Sequence, residues 1–544
     1  MASEMERMRQ RSQKAKQRGD WLEVVELLEK YRKALPDDKA AAFDLGDALM
    51  KLERFDDACR FYAELLETWP KDHLIASNFG GALVRCGKIQ EAKTLLEYSL
   101  ELNPKNIYAR INLGGVYQTL RDYHGALKNS LEAVSIDPTH PLAFNNLGSA
   151  FSDLAKFEEA KHAYETAVML DPKSVDALIN LATTEVKLGG GVAAVEMFEK
   201  VLTMLPPEAK QRAEAVKFFA SFEYLKLGDL KKGWDYYEGG FSPLVPQNGR
   251  RTPVRVFDFP RWNFEDLSGK RILIWREQGL GDEILFSCCL PDLIKEFPSA
   301  QITYQCEQRL VEIYKETFPS IDVEPYNGEV STTSKGAFHY HIPLGSLLRR
   351  YRSSLATFPG AVPFIRAPER CSAGVRALLA PLGGKKKLIG ICWRSGLRSP
   401  ERNLNYTELL DWNFIPSVSD RYEFFNLQWG DTSEELTSFF QATGTRIHNP
   451  QLVDLKNDMP MVFAIVDQLD AIVTVDSSLS AIAGALGKPT VYLTRGSWIF
   501  MGQREFPWAP SFSSLITEAG EPVSDLLNRV AEHLDKITYQ RIEI

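Results

Sequence analysis

Two short segments in the C-terminal half of the chain carry residue types that could do chemistry. The first is the turn Gly279-Leu280-Gly281-Asp282, where missing β-carbons let a ligand approach the backbone between a predicted strand and a predicted helix. The carboxylate of Asp282 could accept a proton from a hydroxyl group, and the alternative is that it only caps the helix. Glu277, just before the turn, is a candidate for orienting the base or a substrate. This turn predicts a proton-transfer site.

The second segment, Asp476-Ser477-Ser478, joins the end of a buried strand to the start of a helix. Free backbone N–H groups, two hydroxyl groups and the positive helix end could bind a phosphate, although a helix cap alone would explain Asp476. Arg394 and Arg402 could neutralise phosphate charge with their guanidinium groups, and surface salt bridges are the alternative. Gln428 lies at the end of a further predicted strand. Together these residues predict an anion-binding site.

The elements that must position these residues are strands and helices that alternate after about residue 269. Strands are predicted at 271–278, 301–306, 321–326, within 339–350, and at 387–393, 422–429, 446–449, 471–476 and 489–493, with a closing helix at about 522–538. Such alternation is typical of parallel α/β construction. Two lobes, 270–366 and 367–544, are expected to face each other across a cleft at the carboxyl ends of their strands. A connector rich in Pro, Gly and Arg, 241–269, precedes them.

The N-terminal part, residues 1–240, repeats with a period of 34 residues. The period is kept by prolines, alanines and small residues: Pro36, Pro70, Pro104, Pro138, Pro172 and Pro206; Ala58, Ala92, Ala126, Ala160 and Ala194; Gly46, Gly80, Gly114, Gly148 and Ala182. Each repeat is predicted to be two antiparallel helices. The small residues let the helix axes approach closely, and the proline ends the second helix because it lacks an N–H group.

A polar register runs through the same repeats, two positions before each small residue. It consists of Asp44, Asn78, Asn112, Asn146 and Asn180. An asparagine amide can pair with one C=O and one N–H group of an extended peptide. Neighbouring helices lie about 10 Å apart, which is about three residues of extended chain. The four asparagines therefore predict a ladder that binds an acceptor peptide, and the alternative is hydrogen bonding between repeats.

The repeat pattern resembles the tetratricopeptide repeat (TPR), whose small-residue, alanine and proline positions match those above. The array is similar to the asparagine ladder of the TPR superhelix in O-GlcNAc transferase. In the C-terminal half, WREQGLGD and the later VDSSLSAIAGALGKPTVYL resemble GT-B glycosyltransferases of the heptosyltransferase type. The likeness is greatest to the bacterial group in which such a module follows TPR repeats, including flagellin-modifying enzymes.

This resemblance implies an all-α TPR superhelix followed by a GT-B module of two Rossmann-like lobes. It implies a nucleotide-sugar co-substrate, CMP- or NDP-linked, held by the second lobe, with Asp476 at the pyrophosphate and Gln428 at the nucleoside. Asp282 matches the position of a candidate base. The chain departs from the family at Ala481, where a histidine is common, and it contains no D-x-D tripeptide. The latter favours transfer without a metal ion, with arginines and a helix end in its place.

Composition narrows the partner classes. The chain has 544 residues, 44% hydrophobic residues and a net charge of −8, so no general basic field favours nucleic acid, and no run of about 18 apolar residues predicts a membrane span. Its seven cysteines suit reduced thiols in a cytoplasmic protein. We expect a protein O-glycosyltransferase that modifies Ser or Thr of a captured polypeptide such as flagellin, from a CMP-nonulosonic acid or a UDP- or GDP-linked sugar. The alternatives are a TPR scaffold or secretion chaperone with an inactive module, and transfer to a lipid or glycan.

Overall fold

A computed structural model gives the chain two compact units, Met1–Met204 and Leu205–Ile544. The structure describes residues 2–247, 249–326, 338–360, 362–379, 384, 386–395, 405–450, 453–517 and 521–539. Among these residues no helix is both long enough and apolar enough to cross a lipid bilayer.

The first unit consists of six helical hairpins. Its helices span Ala2–Arg18, Trp21–Ala34, Lys39–Lys51, Phe55–Thr68, His73–Arg85, Ile89–Leu102, Ile107–Thr119, Tyr123–Ile136, Pro141–Asp153, Phe157–Leu170, Val175–Lys187 and Val192–Met204. The second helix of each hairpin ends two residues before the repeat proline, as predicted. Side chains such as those of Asp38 and Asn106 accept hydrogen bonds from backbone N–H groups of the following helix and so fix where the first helix of a pair begins.

The small residues of the repeat lie where the two helices of a hairpin cross. A β-carbon built on Gly80 would lie 2.6 Å from Cγ of Leu96, and one on Gly148 would lie 2.7 Å from the ring of Tyr164. In each case the blocking side chain comes from the second helix of the same hairpin. The predicted close approach of the helix axes is therefore confirmed.

Gly148→Ala is expected to destabilise the first unit by about 1–3 kcal/mol, because the added methyl group meets the buried ring of Tyr164. Gly115→Ala is the matched control, since it also lies within a helix but a β-carbon there has no neighbour within 4 Å. That control should stabilise the protein by about 0.5–1 kcal/mol through helix propensity. Urea denaturation followed by circular dichroism measures both. Equal effects of the two substitutions would contradict the packing argument.

The second unit contains two parallel sheets. The strands are β1 Arg271–Trp275, β2 Gln301–Cys306, β3 Asp322–Pro325, β4 Tyr340–Pro343, β5 Lys387–Cys392, β6 Tyr422–Asn426, β7 Ile447–His448, β8 Ala471–Val475, β9 Thr490–Thr494 and β10 Phe512–Ile516. The first sheet has the order β3-β2-β1-β4 and the second the order β10-β9-β8-β5-β6-β7. The second order is that of a doubly wound dinucleotide-binding sheet, and the first order is its beginning. The predicted strands are confirmed, and β10 is an addition that the sequence did not reveal.

Helices cover the faces of these sheets. They span Lys210–Lys226, Leu230–Tyr237, Leu280–Phe286, Leu290–Glu296, Val311–Thr317, Leu348–Tyr351, Glu369–Leu379, Phe414–Ser417, Ser433–Thr443, Met459–Gln468, Ser478–Ala485 and Val530–Tyr539. The last of them packs on the second sheet, where Val530 and Leu534 join the core formed by Ile389, Val473 and Val491.

The helices at 210–226 and 230–237 resume the repeat pattern but belong to the second unit. Phe218 and Trp234 share one hydrophobic core with Ile272 and Ile274 of β1. The indole N–H group of Trp234 also donates to the carbonyl oxygen of Arg352 at 2.8 Å. The first compact unit therefore ends at Met204, whereas the sequence places the end of the repeats near residue 240.

Candidate functional site

Three of the site residues predicted from the sequence lie at the carboxyl ends of strands at which the strand order reverses. In the first sheet this point falls between β1 and β4, and in the second between β5 and β8. Loops that leave neighbouring strands there diverge and open a crevice, which is the usual ligand site of open α/β sheets. Asp282 follows β1, Arg394 follows β5 and Ser477 follows β8.

Asp282 lies in the first turn of the helix Leu280–Phe286 and is half-buried. Its Oδ2 accepts a hydrogen bond from the N–H group of Gly279 at 3.2 Å, so the carboxylate caps the helix. Gln278, immediately before, has φ of 61°, a left-handed conformation that costs about 1 kcal/mol for a residue with a side chain. Its amide donates to the Tyr237 hydroxyl at 3.2 Å. The turn is thus held by a cap and by a bond to the preceding helix.

Glu277 is completely buried and paired on both oxygens. Its Oε1 and Oε2 each lie 2.5 Å from a guanidinium nitrogen of Arg251, which is also completely buried. Oε1 further accepts from the N–H group of Gly345 at 2.6 Å. Glu277 therefore fastens the connector and the loop after β4 to the end of β1, a positioning task. Nothing in these contacts brings it to a ligand.

The two predicted chemical segments meet. A β-carbon built on Gly281 would lie 3.7 Å from Cα of Ser478 and 3.9 Å from Cβ of Ala481. The helix that carries Asp282 thus packs against the N-terminal turn of the helix Ser478–Ala485. The missing side chain at Gly281 and the small one at Ala481 permit this approach. Because Ala481 is buried, a histidine at this position would require its neighbours to move.

Ser477 precedes the helix Ser478–Ala485 in an extended conformation but does not cap it with its side chain. Its hydroxyl group instead faces Oγ1 of Thr474 at 3.2 Å and Sγ of Cys392 at 3.8 Å. The Ser477 side chain therefore does not cover the backbone N–H groups of the first turn, although its carbonyl oxygen accepts from the N–H group of Ser480 at 3.1 Å. Asp476, just before, accepts a hydrogen bond from the buried Tyr492 hydroxyl at 3.1 Å.

Arg394 and Gln428 are bound to each other at the ends of β5 and β6. The N–H group of Arg394 donates to Oε1 of Gln428 at 3.0 Å, and Gln428 is completely buried. The guanidinium group of Arg394 pairs with both carboxylate oxygens of Glu435, at 3.1 and 2.6 Å. This ion pair raises the pKa of Arg394 above its ordinary value. Arg402 lies outside the described residues.

Two adjoining cavities lie at the carboxyl ends of β5, β6 and β7. The smaller, about 30 Å³, is lined by residues that include Arg394, Ser477 and Ser478. The larger, about 470 Å³, is lined by polar side chains that include Asn449, Asn457 and Lys456. Trp429 and Leu455 line both. Only the larger cavity falls in the size range of about 300–1,000 Å³ that is typical of small-molecule sites.

The asparagine register of the first unit makes contacts between repeats. Nδ2 of Asn146 donates to the carbonyl oxygen of Ile111 at 3.1 Å, and Nδ2 of Asn180 donates to Oδ1 of Asn145 at 3.0 Å. The side chain of Asn78 lies next to the hydroxyl group of Tyr62, which belongs to the preceding repeat. Among the described residues, Asn112 makes no hydrogen bond with its side chain. Asn146 and Asn180 thus form hydrogen bonds between repeats, which is the alternative to peptide binding that the sequence left open.

Two histidines, His341 in β4 and His339 just before that strand, make structural contacts. Nδ1 of His341 accepts from the indole N–H group of Trp275 at 3.3 Å, and its ring lies 4.2 Å from that of Phe257. Nδ1 of His339 accepts from the backbone of Arg271. Burial, then the charges of Arg261 and Arg255, lower the pKa of His341 to about 4. The neutral ring is the one that can accept from Trp275.

His341 is expected to make folding sensitive to acid. Its pKa is depressed in the folded protein, so the unfolded chain binds the extra proton and stability falls as the pH drops from about 6.5 towards 4. Wild type should lose about 2 kcal/mol more than His341→Gln between pH 7 and pH 4.5. Urea denaturation at both pH values measures this difference. Parallel losses in the two proteins would show that His341 is not the responsible group.

Several residues of this region carry no sequence signal. Arg251 belongs to a connector without a recognisable motif, and its pairing with Glu277 joins segments that are distant along the chain. Lys456 lies over the ring of Trp429 at 5.2 Å in the wall of the larger cavity. Trp429 follows directly on Gln428 and ends the strand predicted at 422–429, so its place beside a predicted site residue was a signal that could have found it.

Comparisons with known proteins agree with this picture for the first unit. Models of the family described as Tetratricopeptide repeat match residues 11–73, 107–140 and 142–174. The first unit is a TPR array. Protein FlbA of Caulobacter vibrioides is 30% identical over 372 residues, which make up 65% of this chain and 60% of FlbA. The chain thus spans less than two thirds of the length of that curated relative.

Solved TPR structures resemble part of the chain. MamA of Desulfovibrio magneticus RS-1 is 24% identical, covers 31% of this chain and 95% of its own, and has a TM-score of 0.27. The thermophilic TPR protein TTC0263 of Thermus thermophilus is 19% identical, with 34% and 99% covered and a TM-score of 0.31. A TPR protein of Parabacteroides merdae is 16% identical, with 45% and 94% covered and a TM-score of 0.36.

Proposed function

We propose that this protein is a protein O-glycosyltransferase. Its TPR array binds an acceptor polypeptide, and its second unit, as a GT-B module, transfers a sugar from a nucleotide carrier to a Ser or Thr hydroxyl group. Flagellin is the leading candidate acceptor and a CMP-nonulosonic acid the leading donor, with UDP- and GDP-linked sugars next. Both candidates come from the family resemblance in the sequence.

One observation carries the proposal. The Gly281 turn, which holds the candidate base Asp282, lies against the uncapped first turn of the helix at Ser478. A general base and an anion-binding helix end are the two groups that metal-independent transfer from a sugar phosphate requires. The base and the helix end come from two different parallel sheets, in each case from the point where the strand order reverses. This supports a site formed by two lobes.

In the proposed step the acceptor oxygen attacks the anomeric carbon of the sugar. The hydroxyl proton passes to the Asp282 carboxylate as the new carbon–oxygen bond forms. The bond between the anomeric carbon and the donor phosphate oxygen breaks, and its electron pair leaves with the nucleotide. Backbone N–H groups at Ser478 stabilise the charge that develops on the phosphate, because they are aimed at it before the reaction.

The larger cavity is the proposed nucleoside site. Trp429 offers a ring for stacking, and Asn449 and Asn457 offer amides that can read a base. The smaller cavity at Ser477 holds about one water molecule at 30 Å³. The wall between the two cavities, which includes Leu455, must therefore move before the donor phosphates can bind there.

The TPR register gives a prediction for acceptor binding. Asn112→Ala should weaken binding of the acceptor polypeptide about tenfold, since a buried amide pair between protein and peptide contributes about 1 kcal/mol or more. Its thermal unfolding should match wild type, because Asn112 makes no side-chain hydrogen bond to other described residues. Asn180→Ala is the control for a structural role and should lower stability through its lost bond to Asn145. Unchanged acceptor affinity in Asn112→Ala would contradict the ladder.

A scaffold or secretion chaperone with an inactive module is the second candidate. Two observations favour it. Ala481, which packs on Gly281, stands at the position where similar enzymes commonly have a histidine. The guanidinium group of Arg394 is already paired with the carboxylate of Glu435. Isothermal titration of the full chain with CMP, UDP and GDP separates the two candidates. If the protein is a transferase, at least one of these nucleotides should bind, and the Trp429→Ala variant should lose that binding. If none of the three binds, the scaffold is favoured.

A further inference from the structure

The connector places a buried arginine at the carboxyl end of the first sheet. Arg255 is 8% exposed, and its Nη1 donates to Oε1 of Gln305 in β2 at 2.8 Å. Its Nε and Nη2 are buried and have no hydrogen-bond partner among the residues that the structure describes. Buried donors without a partner cost about 1–3 kcal/mol each, and native structures contain few of them. An arginine kept in this state indicates a missing partner.

The surroundings of Arg255 are aromatic. The guanidinium carbon lies 4.8 Å from the ring centre of Phe257, 5.7 Å from that of Trp275 and 5.1 Å from that of Tyr326. The faces of these rings attract the cation, but they do not accept hydrogen bonds from its N–H groups as a carboxylate oxygen would. Glu324 does not supply that oxygen, since it is bound to the amide of Gln305 at 3.4 Å.

The two unpartnered nitrogens form one edge of the guanidinium group. Nε and Nη2 point the same way, and this edge holds a planar oxyanion through two parallel hydrogen bonds. We propose that Arg255 binds the carboxylate of a ligand through this edge. A carboxylate fits better than a phosphate, because its single negative charge balances one arginine. A doubly charged phosphate would leave net charge among three aromatic rings.

The outer wall of this site can move without breaking the sheet. Residues 253–259 form no backbone hydrogen bonds with other described residues, and the connector rejoins the sheet only where Pro260 and Trp262 pair with His341. Val254 and Val256 of this wall are exposed. The site does not depend on sugar transfer, and its ligand can be a free organic acid or an acidic side chain of a polypeptide.

Thermal unfolding of the full chain tests the site, with sodium acetate as the free acid and the peptide acetyl-Gly-Asp-Gly-amide as the side-chain source. Sodium chloride and phosphate at equal ionic strength are the reference salts. Acetate should raise the unfolding midpoint of wild type beyond both reference salts. Arg255→Met should lose this response and, without its unpaired charge, unfold at a midpoint no lower than that of wild type.

Arg349→Met is the matched control. Arg349 also lies over an aromatic ring, that of Phe264, but it already has a carboxylate partner in Asp235. This variant should keep the acetate response. If the peptide is bound at least about tenfold more tightly than acetate, which corresponds to about 1.4 kcal/mol, the ligand is a polypeptide side chain, and the reverse order indicates a free acid. An equal acetate response in Arg255→Met, or no response in wild type, would overturn the site, and an equal response to phosphate would overturn the carboxylate assignment.

His341 gives a second readout by nuclear magnetic resonance. Burial, with the charges of Arg261 and Arg255 as further causes, lowers its pKa to about 4. A carboxylate on Arg255 should raise the pKa of His341, because it neutralises one of the two cations. In Arg255→Met the pKa should be raised already and should not respond to acetate. A His341 pKa that ignores acetate in wild type would contradict carboxylate binding next to it.

Discussion

Asp282→Asn is expected to lower the rate of sugar transfer at least about a hundredfold, because a positioned general base contributes about 10²–10⁴ to such reactions. The substitution removes the base but keeps an oxygen that can accept from the N–H group of Gly279, as Oδ2 does at 3.2 Å in the native turn. The helix cap is thereby preserved. Transfer is measured as nucleotide release at saturating acceptor, and folding by thermal denaturation.

Two comparisons separate catalysis by Asp282 from capping. Asp282→Ala removes both base and cap, so it should lose activity like Asp282→Asn and also about 1 kcal/mol of stability. Asp229 is a comparable cap, because its Oδ1 accepts from the backbone N–H group of Lys232 in the helix at 230–237 at 3.1 Å. Asp229→Asn should leave the rate of sugar transfer unchanged. If Asp282→Asn transfers sugar at the wild-type rate, the residue is a cap and the proposed base is wrong.

Arg251→Met is expected to destabilise the second unit by about 3–5 kcal/mol, because it leaves the completely buried carboxylate of Glu277 without its counter-ion. Arg251 also donates to Ser346 at 2.9 Å and to Glu238 at 3.2 Å. The loss should appear in urea denaturation as a lower midpoint with an unchanged slope.

The double variant Arg251→Met/Glu277→Gln should recover more than half of that loss. It removes the unpaired charge while the glutamine oxygen still accepts from Gly345. Arg349→Met, which breaks a half-exposed pair with Asp235, is the matched control and should cost less than about 1 kcal/mol. A double variant as unstable as the single one would show that the buried charge is not the cause.

The repeat array could be predicted from sequence because its determinants are local. The period of 34 residues sets the helix ends through prolines and the helix spacing through Gly80 and Gly148. The strands were also readable, since buried parallel strands are continuous apolar runs. Strand β10, Phe512–Ile516, was missed because its two serines interrupt such a run.

The site was predictable only in outline. Residues that follow the parallel strands β1, β5 and β8 must lie at the carboxyl ends of those strands. Asp282, Arg394 and Ser477 could therefore be placed near a crevice. The pairing of Glu277 with Arg251 joins residues 26 positions apart through a connector without periodicity. No local pattern encodes such a contact. The approach of Gly281 to Ala481 likewise depends on how the two sheets pack.

The central claim is that this chain attaches sugar to a polypeptide, and the mass of an acceptor tests it most directly. Purified flagellin is incubated with the full chain and, in turn, with a CMP-nonulosonic acid, a UDP-sugar and a GDP-sugar, and its intact mass is recorded. We predict an increase by whole sugar residues with one donor, and no increase with Asp282→Asn. An unchanged mass with all three donors, while flagellin still binds the TPR array, would contradict transfer and leave the scaffold.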